Sequence, residues 1–294
     1  MSRLDLLLLS MVAIWGTNFS LVKVALRDFP ELAFNAFRLL VASGIFLAAL
    51  WWQDRRSTAA GSARARLGSQ DWLRIAALGV VGHLLYQFLF LGGVKRTSVG
   101  NGSLILGSTP VVVALLTAWT GHERVPPLRW VGAATSFLGL YIIVGQKVDW
   151  TAGAHLGDLM MIGSTVCWAT YSVASVPLLR RHTPLVVTGY SISIGAVLYT
   201  LVSLPALARV DWTAISIGSW LLMLASAVFA LAFAYLIWYT SVQKAGSTRT
   251  AAWSNVTPVV AMLIAAVWLG EPITSTQVIG SLAIFTGLFI TRRS

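Results

Sequence analysis

The chain has 294 residues, of which 57% are hydrophobic and only 11% are charged, and its mean hydropathy is +0.77. Soluble globular domains carry roughly 25% charged residues, so this composition excludes a water-soluble fold. The formal charge of +11 does not indicate nucleic-acid binding, because the basic residues lie in short connections and form no continuous stripe. The lipid bilayer is therefore the predicted surrounding.

Apolar runs of about 20 residues follow one another along the chain, each able to cross a hydrocarbon core roughly 30 Å thick. The first run is interpreted as a retained helix, because no small-residue cleavage site ends a short apolar core. Charged, Gly and Pro residues between the runs predict ten spanning helices, at 4–26, 31–52, 72–94, 97–119, 127–145, 156–179, 185–207, 215–242, 248–268 and 273–291.

The Lys and Arg residues divide unequally between the two sets of connections, with about 14 on the side of the termini and about six on the other. Positive charge near helix ends is retained on the cytoplasmic face. Ten helices place both termini on one side of the membrane. The sequence therefore predicts a multi-pass protein with both termini in the cytoplasm.

The two halves of the chain resemble each other. An offset of about 153 carries Trp15 onto Trp168 and Thr17 onto Thr170. An offset of about 148 carries the Thr-Pro-Val-Val run that begins at Thr109 onto the run that begins at Thr257. So many matches among punctuating residues indicate an internal repeat.

Each half holds five predicted helices, an odd number, so the second half must enter the membrane from the opposite side. The predicted fold is thus an all-α integral membrane protein with ten transmembrane helices in two inverted five-helix repeats, residues 1–150 and 151–294. Inverted repeats are typical of transporters and place the substrate site near the membrane midplane, between the halves.

Three motifs carry a resemblance to a known family: Trp15-Gly16-Thr17-Asn18-Phe19, Thr-Pro-Val-Val at 109–112 and 257–260, and Leu269-Gly270-Glu271-Pro272. The sequence resembles the EamA-type members of the drug/metabolite transporter superfamily, and most of all the YddG-type exporters of aromatic and neutral amino acids. The first half departs from the last motif and reads Gly121-His122-Glu123. The resemblance implies a location in the cell inner (plasma) membrane and a central cavity lined by helices 1, 3, 4, 6, 8 and 9.

Helix 1 places Trp15 and Asn18 on one face, and the repeat puts Trp168 and Tyr171 at the equivalent positions of helix 6. Both tryptophans lie about ten residues into their helices and hence roughly 15 Å deep. We interpret them as cavity residues, since polar groups at that depth face the bundle interior. The alternative is an anchoring role at the membrane interface.

Helix 3 carries a polar and aromatic stripe at spacings of three and four, His83, Tyr86, Gln87 and Phe90. Helix 8 carries Tyr235, Trp238 and Tyr239, and the repeat matches Gln87 with Tyr235. Both stripes are predicted to line the substrate path. A buried histidine is more often hydrogen-bonded to a neighbouring helix than a proton relay, although a pKa of about 6.5 suits a relay.

Helices 4 and 9 each contain a proline near the middle, Pro110 and Pro258. Proline kinks a helix and frees a backbone carbonyl, so these helices are predicted to be moving parts; a static bend for packing is the alternative. Polar and aromatic residues beside them are further candidates to line the path: Asn101, Trp253 and Asn255.

Charge inside the predicted spans is scarce, and no carboxylate lies near a span centre. That absence favours facilitated export over proton-coupled export of cationic drugs. Arg38 is the exception, about seven residues into helix 2. We expect it to extend toward the outer interface; gating the pore or meeting a substrate carboxylate are the alternatives.

The sequence contains no metal-ligand spacing, phosphate-binding loop or nucleophile motif, so no cofactor is predicted and an enzyme is not expected. The predicted function is secondary transport that exports neutral or aromatic amino acids, or similar small metabolites, by alternating access. Multidrug or metabolite efflux, an integral-membrane enzyme and a purely structural subunit are the alternatives. The oligomeric state is not readable; a monomer is the simplest case.

Overall fold

Helices account for nearly all of the computed structural model, which describes residues 3–59, 67–96, 102, 105–121, 126–144, 152–269, 273 and 275–293. These described residues contain no β-strand. We number the helices in chain order: α1 Arg3–Ala25, α2 Glu31–Ala59, α3 Ser69–Arg96, α4 Thr109–Thr120, α5 Pro127–Val144, α6 Ala152–Ala174 with its continuation Val176–Leu179, α7 Pro184–Leu207, α8 Ile217–Ala245, α9a Ser247–Ser254, α9b Thr257–Leu269 and α10 Ser275–Arg293.

Seven helical segments in the described residues are long and apolar enough to cross a membrane: Arg3–Ala25, Glu31–Arg56, Ser69–Arg96, Leu156–Leu179, Pro184–Leu207, Ile217–Ala245 and Ser247–Trp268. Two shorter apolar helices, Ile105–Thr120 and Val278–Gly287, accompany them. The prediction of a multi-pass helical membrane protein is confirmed.

Helix α2 runs past the predicted end of its span at residue 52 and reaches Ala59. The extra turns are stabilised by side-chain pairs four residues apart: the guanidinium of Arg55 lies 3.9 Å from the ring centroid of Trp51, and that of Arg56 lies 3.9 Å from Trp52. The apolar run predicted the end of the membrane span, whereas these cation–ring pairs extend the helix beyond that end.

Helix packing places the two halves of the chain against each other. Helix α2 packs against α7, and α5 packs against α10. Helix α1 packs against α8 and α9b, while α3 packs against α6 and α7, and α4 packs against α6 and α9a. The helices α1, α3, α6 and α8 therefore surround the centre of the molecule.

The crossing of α5 and α10 depends on glycine. A Cβ atom on Gly139 would lie 2.5 Å from the carbonyl oxygen of Gly280, and a Cβ atom on Gly287 would overlap Ser136 and the carbonyl oxygen of Gly132. The Ser136 hydroxyl donates to the carbonyl oxygen of Ile284 at 3.3 Å. Small residues let the two backbones approach closely, as is common between membrane helices.

Two helices contain a π-helical segment, Val80–Leu85 in α3 and Ser226–Phe233 in α8. The offset of about 148 that relates the halves carries 80–85 onto 228–233, so the two segments lie at equivalent positions. In the second segment the carbonyl oxygen of Ala230 accepts a hydrogen bond from Trp15 Nε1 at 3.1 Å. Such π-turns are frequent at functional sites, and nothing in the local sequence predicted them.

Buried charge ties the start of α3 to the turn between α6 and α7. The Asp71 carboxylate is 2.7 Å from the guanidinium of Arg181 and 2.9 Å from Nε2 of His182. Asp28, which lies between α1 and α2, makes a similar connection to the start of α8. It accepts hydrogen bonds from Ser219 Oγ and, at 3.1 Å, from the backbone N–H of Ser216. These hydrogen bonds lower the pKa of the Asp28 carboxyl.

Replacing Asp71 with asparagine is expected to destabilise the fold by about 1–3 kcal/mol, because Asn removes the charge opposite His182 and Arg181 but keeps one acceptor. Thermal unfolding in detergent measures the effect. Asp211→Asn is the control, since Asp211 is bonded only within its own turn, to Thr213. Equal unfolding temperatures for the two variants would contradict a tying role for Asp71.

Candidate functional site

A cavity of about 60 Å³ lies between α1, α2, α3, α6 and α8, with the start of α4 and of α9b closing one side. Seven of the predicted site residues line it: Trp15, Asn18, Tyr86, Gln87, Trp168, Tyr235 and Pro258. Other lining residues include Phe19, Arg38, Phe90, Thr109, Ser254 and Thr257. Six of the lining side chains are aromatic, five are polar and neutral, and one is a cation.

The aromatic wall centres on Trp168, which is 4% exposed. Its ring centroid is 5.7 Å from Trp15, 5.1 Å from Tyr86, 5.0 Å from Tyr235 and 5.3 Å from Trp238. These distances are those of favourable tilted and edge-to-face pairs, each worth about 0.5–1.5 kcal/mol beyond the area buried. One residue of α6 thus joins the rings of α1, α3 and α8.

Residues that the repeat makes equivalent meet in the structure. Trp15 and Trp168 contact each other at a centroid distance of 5.7 Å, with their planes at 81°. Gln87 Nε2 donates a hydrogen bond to the hydroxyl of Tyr235 at 3.0 Å. Self-contacts between equivalent positions arise where two related units face each other across a pseudo-two-fold axis.

Arg38 does not extend to the membrane interface, contrary to our expectation, and is 1% exposed. Its guanidinium lines the cavity. Nε donates to Asn35 Oδ1 at 3.1 Å, Nη1 donates to Ser226 Oγ at 3.1 Å, and Nη2 donates to Gln87 Oε1 at 2.6 Å. Neutral acceptors on α2, α3 and α8 thus hold the guanidinium inside the bundle.

The network continues to the other polar residues of the cavity. The Ser226 hydroxyl donates to Asn18 Oδ1 at 2.6 Å, and Gln87 connects Arg38 to Tyr235. Among the described residues, no Asp or Glu lies within ion-pair distance of Arg38. The guanidinium is therefore a buried positive charge that the described protein groups solvate with neutral dipoles only.

His83 lies behind the cavity wall and is fully buried. Its Nε2 is 3.0 Å from the hydroxyl of Tyr171 in α6 and 3.3 Å from Ser191 Oγ in α7. The Tyr171 hydroxyl is in turn 2.7 Å from Ser191 Oγ. His83 is thus hydrogen-bonded to two neighbouring helices, the role that we favoured over that of a proton relay.

Two matches of one family model cover most of the chain. The model of the EamA-like transporter family matches residues 2–145 and again residues 155–293. The chain belongs to the EamA-like transporter family. It is accordingly a membrane transporter, and the family and its relatives' names point to transport rather than to an enzyme.

Relatives of this EamA transporter match along nearly the whole chain. The uncharacterized transporter YyaM of Bacillus subtilis is 29% identical over 286 residues, which cover 96% of this chain and 91% of YyaM. A probable terminal-alkyne amino-acid exporter of Streptantibioticus cattleyicolor is 31% identical over 291 residues, which cover 96% of this chain and 91% of that protein.

A solved crystal structure of another protein has the same fold as this EamA transporter. The two overlap with a TM-score of 0.79 at 19% sequence identity, and the match covers 99% of this chain and 98% of the other. At this identity the likeness concerns the fold alone. The helix arrangement around the cavity therefore recurs in a protein with few residues in common.

The remaining predicted site residues of the EamA transporter lie outside the cavity lining. Trp238 and Tyr239 are fully buried one turn further along α8, behind Trp168 and Tyr171. Trp253 and Asn255 are also buried, and Asn255 Oδ1 has no hydrogen-bond partner among the described residues. Asn101 lies outside the described residues.

We expected each of the two prolines to lie in the middle of one continuous helix, and the structure differs from this expectation. Pro110 occupies the first turn of α4, which begins at Thr109, and Pro258 occupies the first turn of α9b, which begins at Thr257. A proline at this position lacks only an N–H that would have no helical partner anyway. Within Ile105–Thr120 and Ser247–Trp268 the α-helical pattern is therefore interrupted for one or two residues just before each proline.

Arg38 is the functional candidate whose position we predicted wrongly. Asn35 precedes it by three residues, so the two side chains share one face of α2. Polar residues on one face of a spanning helix turn toward the bundle interior. That spacing was the signal that could have placed Arg38 in the cavity.

In the described residues no group of His, Cys, Asp and Glu forms a metal site.

Proposed function

We propose that this EamA transporter is a secondary transporter that exports neutral or aromatic amino acids, or similar small metabolites, by alternating access. The observation that carries the proposal is the aromatic cavity between two halves whose equivalent residues, Trp15 with Trp168 and Gln87 with Tyr235, are in contact. A site shared equally by two related units is where a rocking motion of one unit on the other alternates its exposure.

The proposed topology is ten transmembrane helices in two inverted five-helix repeats, residues 1–150 and 151–294. Its support is the packing: α2 with α7 and α5 with α10 are pairs of equivalent helices, and the contact of α3 with α6 has its counterpart in that of α8 with α1. The two matches to the family model divide near the same point.

The proposed orientation places both termini in the cytoplasm and the protein in the inner membrane. Its support is the surplus of Lys and Arg in the connections on the side of the termini. The oligomeric state is left at the simplest arrangement, a monomer, because the proposed site is built within one chain.

The size of the cavity supports alternating access. A volume of about 60 Å³ has room for a handful of water molecules, since each needs roughly 10–15 Å³ by this measure. An amino acid is larger than that, so the helices around the cavity must separate before a substrate enters. The breaks before Pro110 and Pro258 provide flexible points in the two wall segments where such separation would begin.

The substrate class is proposed from two observations. Aromatic rings on four helices favour a solute with an apolar portion, and the relative from Streptantibioticus cattleyicolor is named as a probable exporter of an amino acid. Efflux of drugs or other metabolites is the second candidate, because the same rings suit any flat apolar solute. The buried positive charge of Arg38 disfavours cationic drugs among them.

Purified protein in liposomes tests this proposal. We expect flux of labelled phenylalanine, methionine or threonine that saturates with concentration and is unchanged when a pH gradient is imposed. A proton-coupled transporter would instead follow the gradient. Liposomes that contain the Arg38→Gln variant are not a suitable blank, because that residue lines the cavity, so protein-free liposomes serve as the control. Absence of flux for all three amino acids would overturn the proposed substrate class.

A further inference from the structure

Arg38 places an uncompensated positive charge at the wall of the cavity. A guanidinium has five N–H donors, and it stays charged in proteins. Three of these donors are used by Asn35, Ser226 and Gln87, all of which are neutral. Among the described residues no other group accepts a hydrogen bond from the guanidinium or forms an ion pair with it, so two donors and the formal charge remain for an occupant of the cavity.

The fold itself does not require this charge. Helices α2 and α7 begin at Glu31 and Pro184, and the corresponding offset of 153 carries Arg38 onto Ser191. Ser191 holds the equivalent position of the second half with a hydroxyl that bonds Tyr171 and His83. The same helix position thus packs well without a cation, whereas an unpaired buried charge is costly.

The geometry points to a ligand that bears a negative charge, and we propose that Arg38 is the carboxylate-binding residue of the cavity. This inference rests on the proposed transport of amino acids and specifies which end of the solute is recognised. The carboxylate accepts hydrogen bonds from the free donors of the guanidinium, and the apolar portion contacts the aromatic wall. The site therefore selects solutes with a carboxylate over amides and amines of the same shape.

Ser226 offers a direct test, because its Oγ is 3.1 Å from Arg38 Nη1. Ser226→Asp introduces a carboxylate from within the protein that competes with the carboxylate of a solute. We expect Ser226→Asp to raise the unfolding temperature of the ligand-free protein and to weaken carboxylate binding about 10- to 100-fold, the range of charge-assisted hydrogen bonds. Ser226→Asn is the matched control for Ser226→Asp, since asparagine has nearly the same volume as aspartate and no charge.

Ligand-induced shifts of the unfolding temperature in detergent provide a readout that does not depend on transport. Benzoate and benzamide have the same shape and differ in charge, as do phenylalanine and phenylalaninamide. Wild type should bind each acid at least tenfold more tightly than its amide. Ser226→Asp should lose that preference, and Ser226→Asn should lose less of it than Ser226→Asp. Chloride, titrated as a second anion, separates a bound inorganic ion from a carboxylate; a preference for chloride over benzoate would overturn the assignment.

The outcomes separate this inference from the proposed function. If wild type prefers benzoate to benzamide but neither binds nor transports an amino acid, the proposed substrate class fails and the carboxylate site stands. If amino acids are transported and phenylalaninamide is handled as well as phenylalanine, the carboxylate site fails and transport stands. Arg38→Gln should reduce the preference for the acid to less than twofold; a retained tenfold preference would also overturn the inference.

Discussion

Replacing Trp168 with alanine is expected to reduce amino-acid transport by at least tenfold per folded molecule. The side chain is 4% exposed and contacts rings from α1, α3 and α8, so its removal deletes the centre of the aromatic wall. Loss of a fully buried aromatic contact with the solute corresponds to about 1.5–3 kcal/mol of binding. Flux in liposomes, normalised to the folded protein recovered, measures the change.

Two further variants make this result specific. Trp168→Phe retains a ring at the same position and should recover most of the transport. Trp119→Ala removes a tryptophan that is 84% exposed on α4, as an interfacial anchor would be, and should leave flux near the wild-type value. If Trp168→Ala transported at the wild-type rate, the aromatic wall would not be the substrate site.

Replacing Gly139 or Gly287 with alanine is expected to destabilise the contact between α5 and α10 by several kcal/mol. At Gly139 the new methyl group would lie 2.5 Å from the carbonyl oxygen of Gly280, which is backbone and cannot rotate away. Overpacking of this kind costs about 1–3 kcal/mol where side chains can adjust, and more where they cannot. The unfolding temperature in detergent measures the loss.

Gly44→Ala is the matched control for these glycines. Gly44 lies within α2, and a Cβ atom there would meet no atom within 4 Å. Alanine is favoured over glycine in a helix by about 1 kcal/mol, so this variant should be as stable as the wild type or more so. Equal destabilisation at positions 44 and 139 would show that the loss does not arise from the close crossing of α5 and α10.

The internal repeat allowed much of the cavity wall to be predicted. Trp15 and Trp168 were paired by the offset alone, and they are in contact. Gln87 and Tyr235 were paired in the same way and share a hydrogen bond. The proposed inverted repeat gives a geometric reason, because equivalent residues near a pseudo-two-fold axis lie close to each other.

Features that depend on helix orientation or on backbone detail escaped prediction. Arg38 lies seven residues into α2, as the sequence indicated, but the position along a helix does not tell which way a side chain turns. Acceptors on α2, α3 and α8 decide that here. The segments Val80–Leu85 and Ser226–Phe233 are ordinary apolar sequence, and packing rather than propensity makes them π-helical. Trp253 and Asn255 were predicted from their proximity to Pro258 in the sequence, but of this stretch Ser254 lines the cavity and its two neighbours do not.

The contacts at the starts of α3 and α8 bear on the balance between the two states of an inverted repeat. The offsets of 153 and 148 carry Asp28 onto position 181 and Asp71 onto position 219, so the Asp71–Arg181 ion pair and the Asp28–Ser219 hydrogen bond are counterparts. Two identical repeats would give the inward-open and outward-open forms equal free energy. In the proposed alternating-access cycle, an ion pair in one half and a neutral hydroxyl donor in the other would remove that degeneracy, and we expect the empty carrier to rest preferentially open to one side.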